Sequence, residues 1–246
     1  MWEVPLLNTV LLLSSGVCQR CNELQNIILC SILPFSSPRV LSTQRIGPHN
    51  QNVLSILIGS MLGGGSMEKD GNGSRFCFYQ DKSHGEYLLW LHSSLFYLGY
   101  CKTNIPQIMT RVSHNKEIRY YYRFRTFTYS SFNLFYEEFY STGKKIVPPF
   151  IEDYFTPLAL AVWIMDDGSK YKNKGLKFST NSFSLKEVKF LAELLKNKFG
   201  LVSSIHKTGA IDQYNIYISK SSMPKLIKIV KPYVHPTMLY KIEDLS

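Results

Sequence analysis

The chain has 246 residues, of which 45% are hydrophobic and 19% are charged. This composition excludes a disordered chain and is sufficient for one large domain or two small ones. A net charge of +10 at pH 7 favours a polyanionic partner, and five scattered cysteines argue against a disulfide-rich scaffold.

Residues 1–45 have no clear period and are predicted to be a poorly structured N-terminal extension. The apolar run from Pro5 to Val17 is interrupted by polar residues and is too short to span a bilayer, so no membrane partner is expected. It also lacks the leading positive charge of a signal peptide. Cys18 and Cys21 have the spacing of zinc ligands, but no second pair follows at a suitable distance.

After the extension the chain repeats itself. Asn50 precedes an apolar stretch, 53–62, that ends in three glycines. Thr156 and Pro157 precede a second stretch, 158–165, that ends in Asp-Asp-Gly. Both patterns predict a capped helix, and the two stretches align at an offset of about 100 residues.

Each predicted helix is followed by a hairpin signal, at 70–73 and 172–175. The capping boxes Ser83-x-x-Glu86 and Ser184-x-x-Glu187 then predict a further helix in each half. Extended segments and a serine pair lead into a last helix. The sequence therefore predicts an α+β fold of two pseudo-twofold-related αββαββα units, residues 46–141 and 157–246, joined by a linker, 142–156.

The segments 57–65 and 160–168 resemble the two motifs of a single-chain LAGLIDADG homing endonuclease, and the likeness covers about residues 45–242 in element order. The resemblance implies two motif helices packed along the pseudo-twofold axis, with small residues at their contact: Gly59, Ser60, Gly63 and Ala161. It also implies a saddle of strands over the major groove of double-stranded DNA. The protein is then expected to be a monomeric, intron-encoded hydrolase of mitochondrial location.

In that family the last acid of each motif binds a divalent metal, usually Mg²⁺, over the scissile phosphates. Asp167 matches this position in the second motif, whereas Gly64 stands there in the first and leaves only a backbone carbonyl as a metal ligand. Glu68 and Asp70 lie beyond the helix end and are not expected to replace the lost acid. Asp166 is expected to point elsewhere, since adjacent helical residues diverge.

Three further positions carry over from the resemblance. Gln80 and Asn181, at matching strand ends, resemble the polar residues that hold the nucleophilic water network. Lys220 resembles the basic residue that stabilises the pentavalent phosphate, and its counterpart Tyr129 cannot supply that charge. The first half is therefore expected to be impaired in catalysis.

The expected DNA contacts are basic residues on the strands and their loops: Arg75, Arg119, Arg123, Arg125, Lys170, Lys172, Lys177 and Lys207. Arg123 and Arg125 are two positions apart and share one face of a strand, and arginine pairs bidentately with guanine. The other side chains are expected to contact phosphates.

The N-terminal stretch 3–16 resembles cytochrome c oxidase subunit III. We interpret the chain as an intron-encoded reading frame fused to its upstream exon. The homing target is then the intronless exon junction near the codons for Leu13 to Gly16.

Other functions remain open at this point. A maturase that helps its own group I intron RNA to fold needs the basic surface but not paired carboxylates, and Gly64 favours it. A DNA-binding regulator built on an inactive nuclease is a second alternative. A membrane-surface protein is disfavoured by the polar interruptions of the N-terminus.

Overall fold

The computed structural model describes residues 40–113, 115–171 and 175–243. The first half consists of α1 (Gln51–Leu62), β1 (Ser66–Asp70), β2 (Gly73–Asp81), α2 (Gly85–Tyr97), β3 (Met109–Val112), β4 (Ile118–Arg125) and α3 (Phe132–Phe139). After a short helix, α4 (Ile151–Tyr154), the second half repeats the order with α5 (Pro157–Asp167), β5 (Gly168–Lys170), β6 (Gly175–Phe178), α6 (Leu185–Phe199), β7 (Ser203–Lys207), β8 (Tyr214–Ser219) and α7 (Met223–Val230). The predicted α+β fold of two αββαββα units is confirmed.

The two sheets have the same topology. Their strand orders are β1-β2-β4-β3 and β5-β6-β8-β7, and every pairing is antiparallel. Asp70 pairs with Gly73 across the first hairpin, where Gly71 adopts a φ of 58° that a side chain would disfavour. The turn residues 172–174 of the second hairpin lie outside the described residues, as do the subunit III-like stretch and both N-terminal cysteines.

The caps of the two motif helices form as the sequence predicts. The Asn50 side chain accepts hydrogen bonds from the backbone N–H groups of Asn52 and Val53. The Thr156 hydroxyl oxygen accepts one from the N–H of Ala159, and the same hydroxyl donates to Ser55 Oγ at 2.8 Å. The second cap therefore also joins α5 to α1.

Close contact between α1 and α5 forms the centre of the molecule. Residues 53–62 of α1 and 159–165 of α5 are buried. A Cβ atom on Gly59 would lie 2.5 Å from the carbonyl oxygen of Ala159 and 2.8 Å from Val162 Cβ. Only a residue without a side chain permits this backbone approach.

One of the two predicted capping boxes forms and the other does not. Ser184 and Glu187 form the predicted capping box of α6, and Glu187 also accepts a hydrogen bond from the backbone N–H of Val147. The box predicted at Ser83 and Glu86 is wrong. Asp81 accepts from Ser83 N at 2.9 Å and caps a short 3-10 turn, so the α-helix begins only at Gly85.

Each sheet packs one face on helices and leaves the other exposed. In the first sheet Phe76, Phe78 and Phe124 are buried in the core, and the alternate residues of the same strands face outward. Residues 40–45 adjoin this half, where the Arg45 guanidinium lies 4.5 Å from the centroid of the Phe127 ring. In the described part of the chain, no helix is long and apolar enough to cross a membrane.

Candidate nucleic-acid interface and motif ends

Asp167 is the last residue of α5 and lies partly buried where the two halves meet. Burial raises the pKa of its carboxyl group, and the charges of Lys145 and Lys241 oppose that rise. Its backbone carbonyl accepts a hydrogen bond from Ser179 N at 3.2 Å, which ties the helix end to the residue after β6. The carboxylate therefore lies at the base of the helix pair, where the family resemblance requires an acid.

Gly64 follows the C-cap of α1 and contributes no carboxylate to the same place. A Cβ atom built on Gly64 has no heavy atom within 4 Å. Its φ lies outside the left-handed region that would disfavour a side chain. The fold therefore has room for an acid at this position, although the sequence does not supply one.

Asp166 crosses from the second half to the first. Gln80 Nε2 donates a hydrogen bond to Asp166 Oδ1 at 2.8 Å, and a Cβ atom on Gly63 would collide with Asp166 Cβ. Asp166 thus occupies space that a side chain at 63 would otherwise take. Gln80, which the resemblance assigns to a water network, is here bound to a protein carboxylate.

The electrostatic setting of Asp166 is unusual for a carboxyl group. Burial raises its pKa to about 7, with the neighbouring Asp167 charge adding to the rise. The nearby Tyr87 hydroxyl, Lys241 and Lys145 act in the opposite direction. Burial and Asp166 in turn raise the pKa of Tyr87 well above its usual value.

Two lysines that the sequence does not single out, the partly buried Lys145 and the buried Lys241, bind the ends of the motif helices. Lys145 Nζ donates to the carbonyl oxygens of Gly63 and Gly65, each at 2.9 Å. Lys241 Nζ donates to the carbonyl oxygens of Ile164, Met165 and Asp166 at 3.3, 2.5 and 3.2 Å. Both cations bind carbonyl oxygens at or just beyond a helix C-terminus, where the backbone presents exposed acceptors and a partial negative charge.

A signal for these lysines exists in the sequence but is weak. Each of them follows the last helix of its own half, and the two are 96 positions apart, close to the offset of the motifs. Burial lowers the pKa of both ammonium groups, while Asp166 and Asp167 raise it.

The other predicted catalytic positions lie elsewhere. Lys220 is exposed and follows β8. Ser219 pairs with Gly175 at one end of β6, whereas Phe178 at the other end pairs with Gly168 beside Asp167. The register thus places Lys220 away from the motif ends. Asn181 is exposed in the turn after β6. Tyr129 donates its hydroxyl hydrogen to the carbonyl of Gly99 at 3.3 Å.

The outward face of the first sheet carries most of the predicted DNA-contacting arginines. Arg75, Arg123 and Arg125 lie together on β2 and β4, and all three form ion pairs with Glu68 of β1. Arg119 is exposed at the start of β4, 3.9 Å from Glu117. Sequence reasoning did not identify the role of Glu68 at the centre of this group.

The outward face of the second sheet is more aromatic than basic. Lys177 pairs with Tyr217, and the Tyr217 ring contacts the rings of Tyr171 and His206. Lys170 pairs with Leu176, and Lys207 pairs with Tyr214. By strand alternation both lie on the core-facing side, exposed at the ends of their strands. Lys172 lies outside the described residues.

A hard divalent metal such as Mg²⁺ requires several oxygen ligands, and the motif ends supply few of them. Among the residues that the structure describes, no group of three or more His, Cys, Asp or Glu side chains could hold an ion. Asp167 supplies one carboxylate, and no hydrogen bond between its side chain and another described residue is present. The site therefore fits one oxygen-preferring cation held from the second half, and it does not offer paired carboxylates.

This arrangement defines a protein built from two copies of one unit around a shared helix pair, with the carboxylate of Asp167 at the base of that pair. The LAGLIDADG DNA endonuclease family matches residues 54–226. This match covers more than half of the chain, so the chain belongs to the LAGLIDADG DNA endonuclease family.

Curated relatives carry maturase and endonuclease names. The chain is 50% identical over 197 residues to cytochrome b mRNA maturase bI2 of Debaryomyces hansenii, covering 79% of this chain and 75% of the relative. It is 50% identical over 206 residues to the maturase of the same name from Saccharomyces cerevisiae, with 80% of this chain but only 48% of the relative covered. It is 45% identical over 148 residues to intron-encoded endonuclease ai4 of Dictyostelium discoideum, covering 58% of this chain and 92% of the relative.

A solved structure has the same fold. The homing endonuclease I-WcaI bound to its DNA recognition sequence superposes with a TM-score of 0.72 at 25% identity, covering 87% of this chain and 96% of that one.

Proposed function

We propose that the chain is an intron-encoded, site-specific DNA endonuclease of the mitochondrion that cleaves one strand of a long target in the presence of Mg²⁺. The observation that carries this proposal is the placement of Asp167 at the C-terminal end of α5, close to Lys145, which binds the Gly63 carbonyl at the end of α1. The likeness to a homing endonuclease bound to its DNA supports the same assignment.

Asp167 would hold the metal, together with the backbone carbonyl of Gly64. A bound Mg²⁺ supplies charge stabilisation at the scissile phosphate and lowers the pKa of a coordinated water. Lys145 and Lys241 hold the two helix ends in place, and their positive charges partly offset those of Asp166 and Asp167. The aromatic and basic sheet faces would orient the duplex.

Cleavage of a single strand follows from the unequal halves. Each scissile phosphate needs a carboxylate close to its metal, and the first half presents Gly64 where the second presents Asp167. The loss of an acidic ligand weakens binding of a hard cation, so the first-half reaction is expected to fail.

The test is cleavage of a supercoiled plasmid that carries the intronless subunit III exon junction, in Mg²⁺ and in Ca²⁺. Nicked circles in Mg²⁺ are expected. A linear product would contradict the single-strand assignment, because it would mean that another group replaces the missing acid. DNA binding without any cleavage would overturn the nuclease assignment, and absence of binding to the junction would overturn the subunit III target.

Restoring the missing acid provides the sharpest prediction. Gly64→Asp should convert nicked circles into linear product, because the position has open space around its Cβ. Gly64→Asn is the matched control, since it adds the same bulk without a full negative charge and should leave the nicking pattern unchanged. A linear product from both variants would contradict a role for the carboxylate.

A second candidate is an RNA maturase for the host group I intron. Gly64 favours it, because RNA binding needs a basic surface but no paired acids, and two relatives at 50% identity bear maturase names. Splicing of the intron RNA by the purified protein would test it. Asp167→Asn should abolish nicking and leave splicing unchanged if both activities are present.

A further inference from the structure

Glu68 binds three arginines at once on the outward face of the first sheet. Arg75 Nε donates a hydrogen bond to Glu68 Oε1 at 2.7 Å, and Arg75 Nη2 lies 2.6 Å from the same oxygen. Arg125 Nε lies 2.8 Å from the same oxygen, and Arg123 Nη2 lies 3.6 Å from Oε2. A second carboxylate, Asp70, accepts from Arg75 Nη1 at 2.9 Å.

The strand register explains why these side chains meet. Glu68 pairs directly with Arg75, and Arg125 pairs with Cys77, two residues further along β2. Arg123 is the next outward residue of β4. The group therefore covers three adjacent strands on a face that does not contribute to the core.

The charges within this group largely cancel. Three guanidinium groups and two carboxylates leave a net charge of +1 where the arginines alone would give +3. Partial burial acts to raise the pKa of Glu68, but the Arg75 hydrogen bond and the charges of Arg125 and Arg75 outweigh it and lower the pKa. The carboxylate stays ionised at neutral pH and the ion pairs persist.

We propose that Glu68 is a specificity-determining residue, which holds Arg75, Arg123 and Arg125 in fixed orientations for base recognition and suppresses their attraction to phosphate. This inference rests on the proposed binding of double-stranded DNA by the outward sheet faces. Glu68 acts through the arginines and is a positioning residue, not a catalytic one.

Two physical requirements distinguish base recognition from phosphate binding. Bidentate pairing with a guanine edge requires the guanidinium fork in one plane and direction, so a preoriented arginine loses less conformational freedom on binding. Phosphate attraction requires only charge and supplies most of the affinity for random sequence. A carboxylate at the centre of the three arginines therefore favours base recognition and weakens the attraction to phosphate.

The experiment compares the full chain with Glu68→Gln, Glu68→Asp and Glu117→Gln. The wild-type protein first selects a target from a randomised duplex pool. The affinity of each protein for that target and for random duplex is then measured between 50 and 200 mM salt, a range over which phosphate contacts dominate the change. Glu117→Gln is the control, because it removes the same charge beside one exposed arginine, Arg119, outside the Glu68 group.

Glu68→Gln should bind random duplex about three- to tenfold more tightly than wild type. The slope of its log affinity against log salt concentration should be steeper by about one unit, because at least one further phosphate contact forms. Its ratio of target to random affinity should fall about tenfold, the size of one lost base contact. Glu68→Asp keeps the charge but has a shorter reach, so its ratio should fall without a steeper slope. Glu117→Gln should leave the ratio unchanged.

Equal ratios for wild type, Glu68→Gln and Glu68→Asp would overturn the inference while leaving DNA recognition intact. A fall of the same size in Glu117→Gln would also overturn it, because net charge alone would then be responsible. A wild-type protein that selects no DNA sequence would overturn the proposed function and this inference together. Urea unfolding of each variant shows that the comparison concerns folded protein.

Discussion

At the residue scale, the two motifs differ near the centre of the molecule, where the first motif has a glycine and the second has an acid at the equivalent position. Gly63 and Asp166 stand at equivalent motif positions, and the Asp166 side chain lies where a Cβ on Gly63 would be. Gln80 of the first half holds that carboxylate by a hydrogen bond. Ionisation of a carboxyl group that is largely withdrawn from water is costly, which is why the pKa of Asp166 rises to about 7.

This raised pKa predicts a pH dependence of stability. The folded state binds the Asp166 proton more tightly than the unfolded state, whose pKa is near 3.8. The stability that the bound Asp166 proton contributes to the folded state is therefore fully present below about pH 4 and is lost as the pH rises through about 7. In urea titrations with EDTA, Asp166→Asn should become more stable relative to wild type between pH 5 and pH 8. A constant difference across this range would contradict the prediction.

Helix contacts decide the architecture at the element scale. The α1–α5 pair is buried over most of its length, and the backbones meet at Gly59. Lysines from outside the two helices then close their C-terminal ends. Close packing and satisfied carbonyls together fix where Asp167 and Gly64 lie.

Overpacking at this contact should be detectable. Gly59→Ala is expected to lower the free energy of unfolding by about 1–3 kcal/mol, because its Cβ would press on a backbone carbonyl that cannot move alone. Gly64→Ala adds the same atom in open space and should change the free energy of unfolding by no more than about 0.5 kcal/mol. Urea denaturation measures both, and equal effects would contradict the packing argument.

The two halves share one core at the scale of the whole molecule. The described residues between 40 and 243 belong to one compact unit, and the buried hydrophobic cluster extends through both halves. Contacts at the far end of the chain reinforce this, since Tyr240 hydrogen-bonds to His84 at 3.3 Å. Neither half buries its motif helix without the other.

We therefore expect a single cooperative unfolding transition. Two variants, each with Trp2 also replaced by Phe, test this expectation. Trp90→Phe leaves Trp163 as the fluorescent reporter of the second half, where its ring stacks on Phe178 with the ring centroids 3.9 Å apart. Trp163→Phe conversely leaves Trp90 of α2, whose ring lies 5.9 Å from the His235 ring and reports on the contact of the first half with the second. Fluorescence and circular dichroism should give coincident denaturation midpoints within each variant. Separate midpoints would show that the halves unfold independently.

The sequence by itself determined the repeat, the order of the elements and the motif helices. Caps at Asn50 and Thr156, the hairpin at 70–73 and the capping box at Ser184 are local signals, because the groups that satisfy one another lie within a few residues. The local signal at Ser83 misled, since Asp81 is a competing cap only two residues away. The empty acid position at Gly64 was also visible, because the motif fixes its place.

The tertiary structure alone decided which side chains meet across the halves and across the sheets. The bond from Gln80 to Asp166 joins residues 86 positions apart, and Lys145 reaches Gly63 over 82. The arginine group around Glu68 depends on the register of three strands, where a shift of one residue would turn every side chain to the other face. Such contacts depend on the packing of distant elements, for which a short sequence window contains no signal.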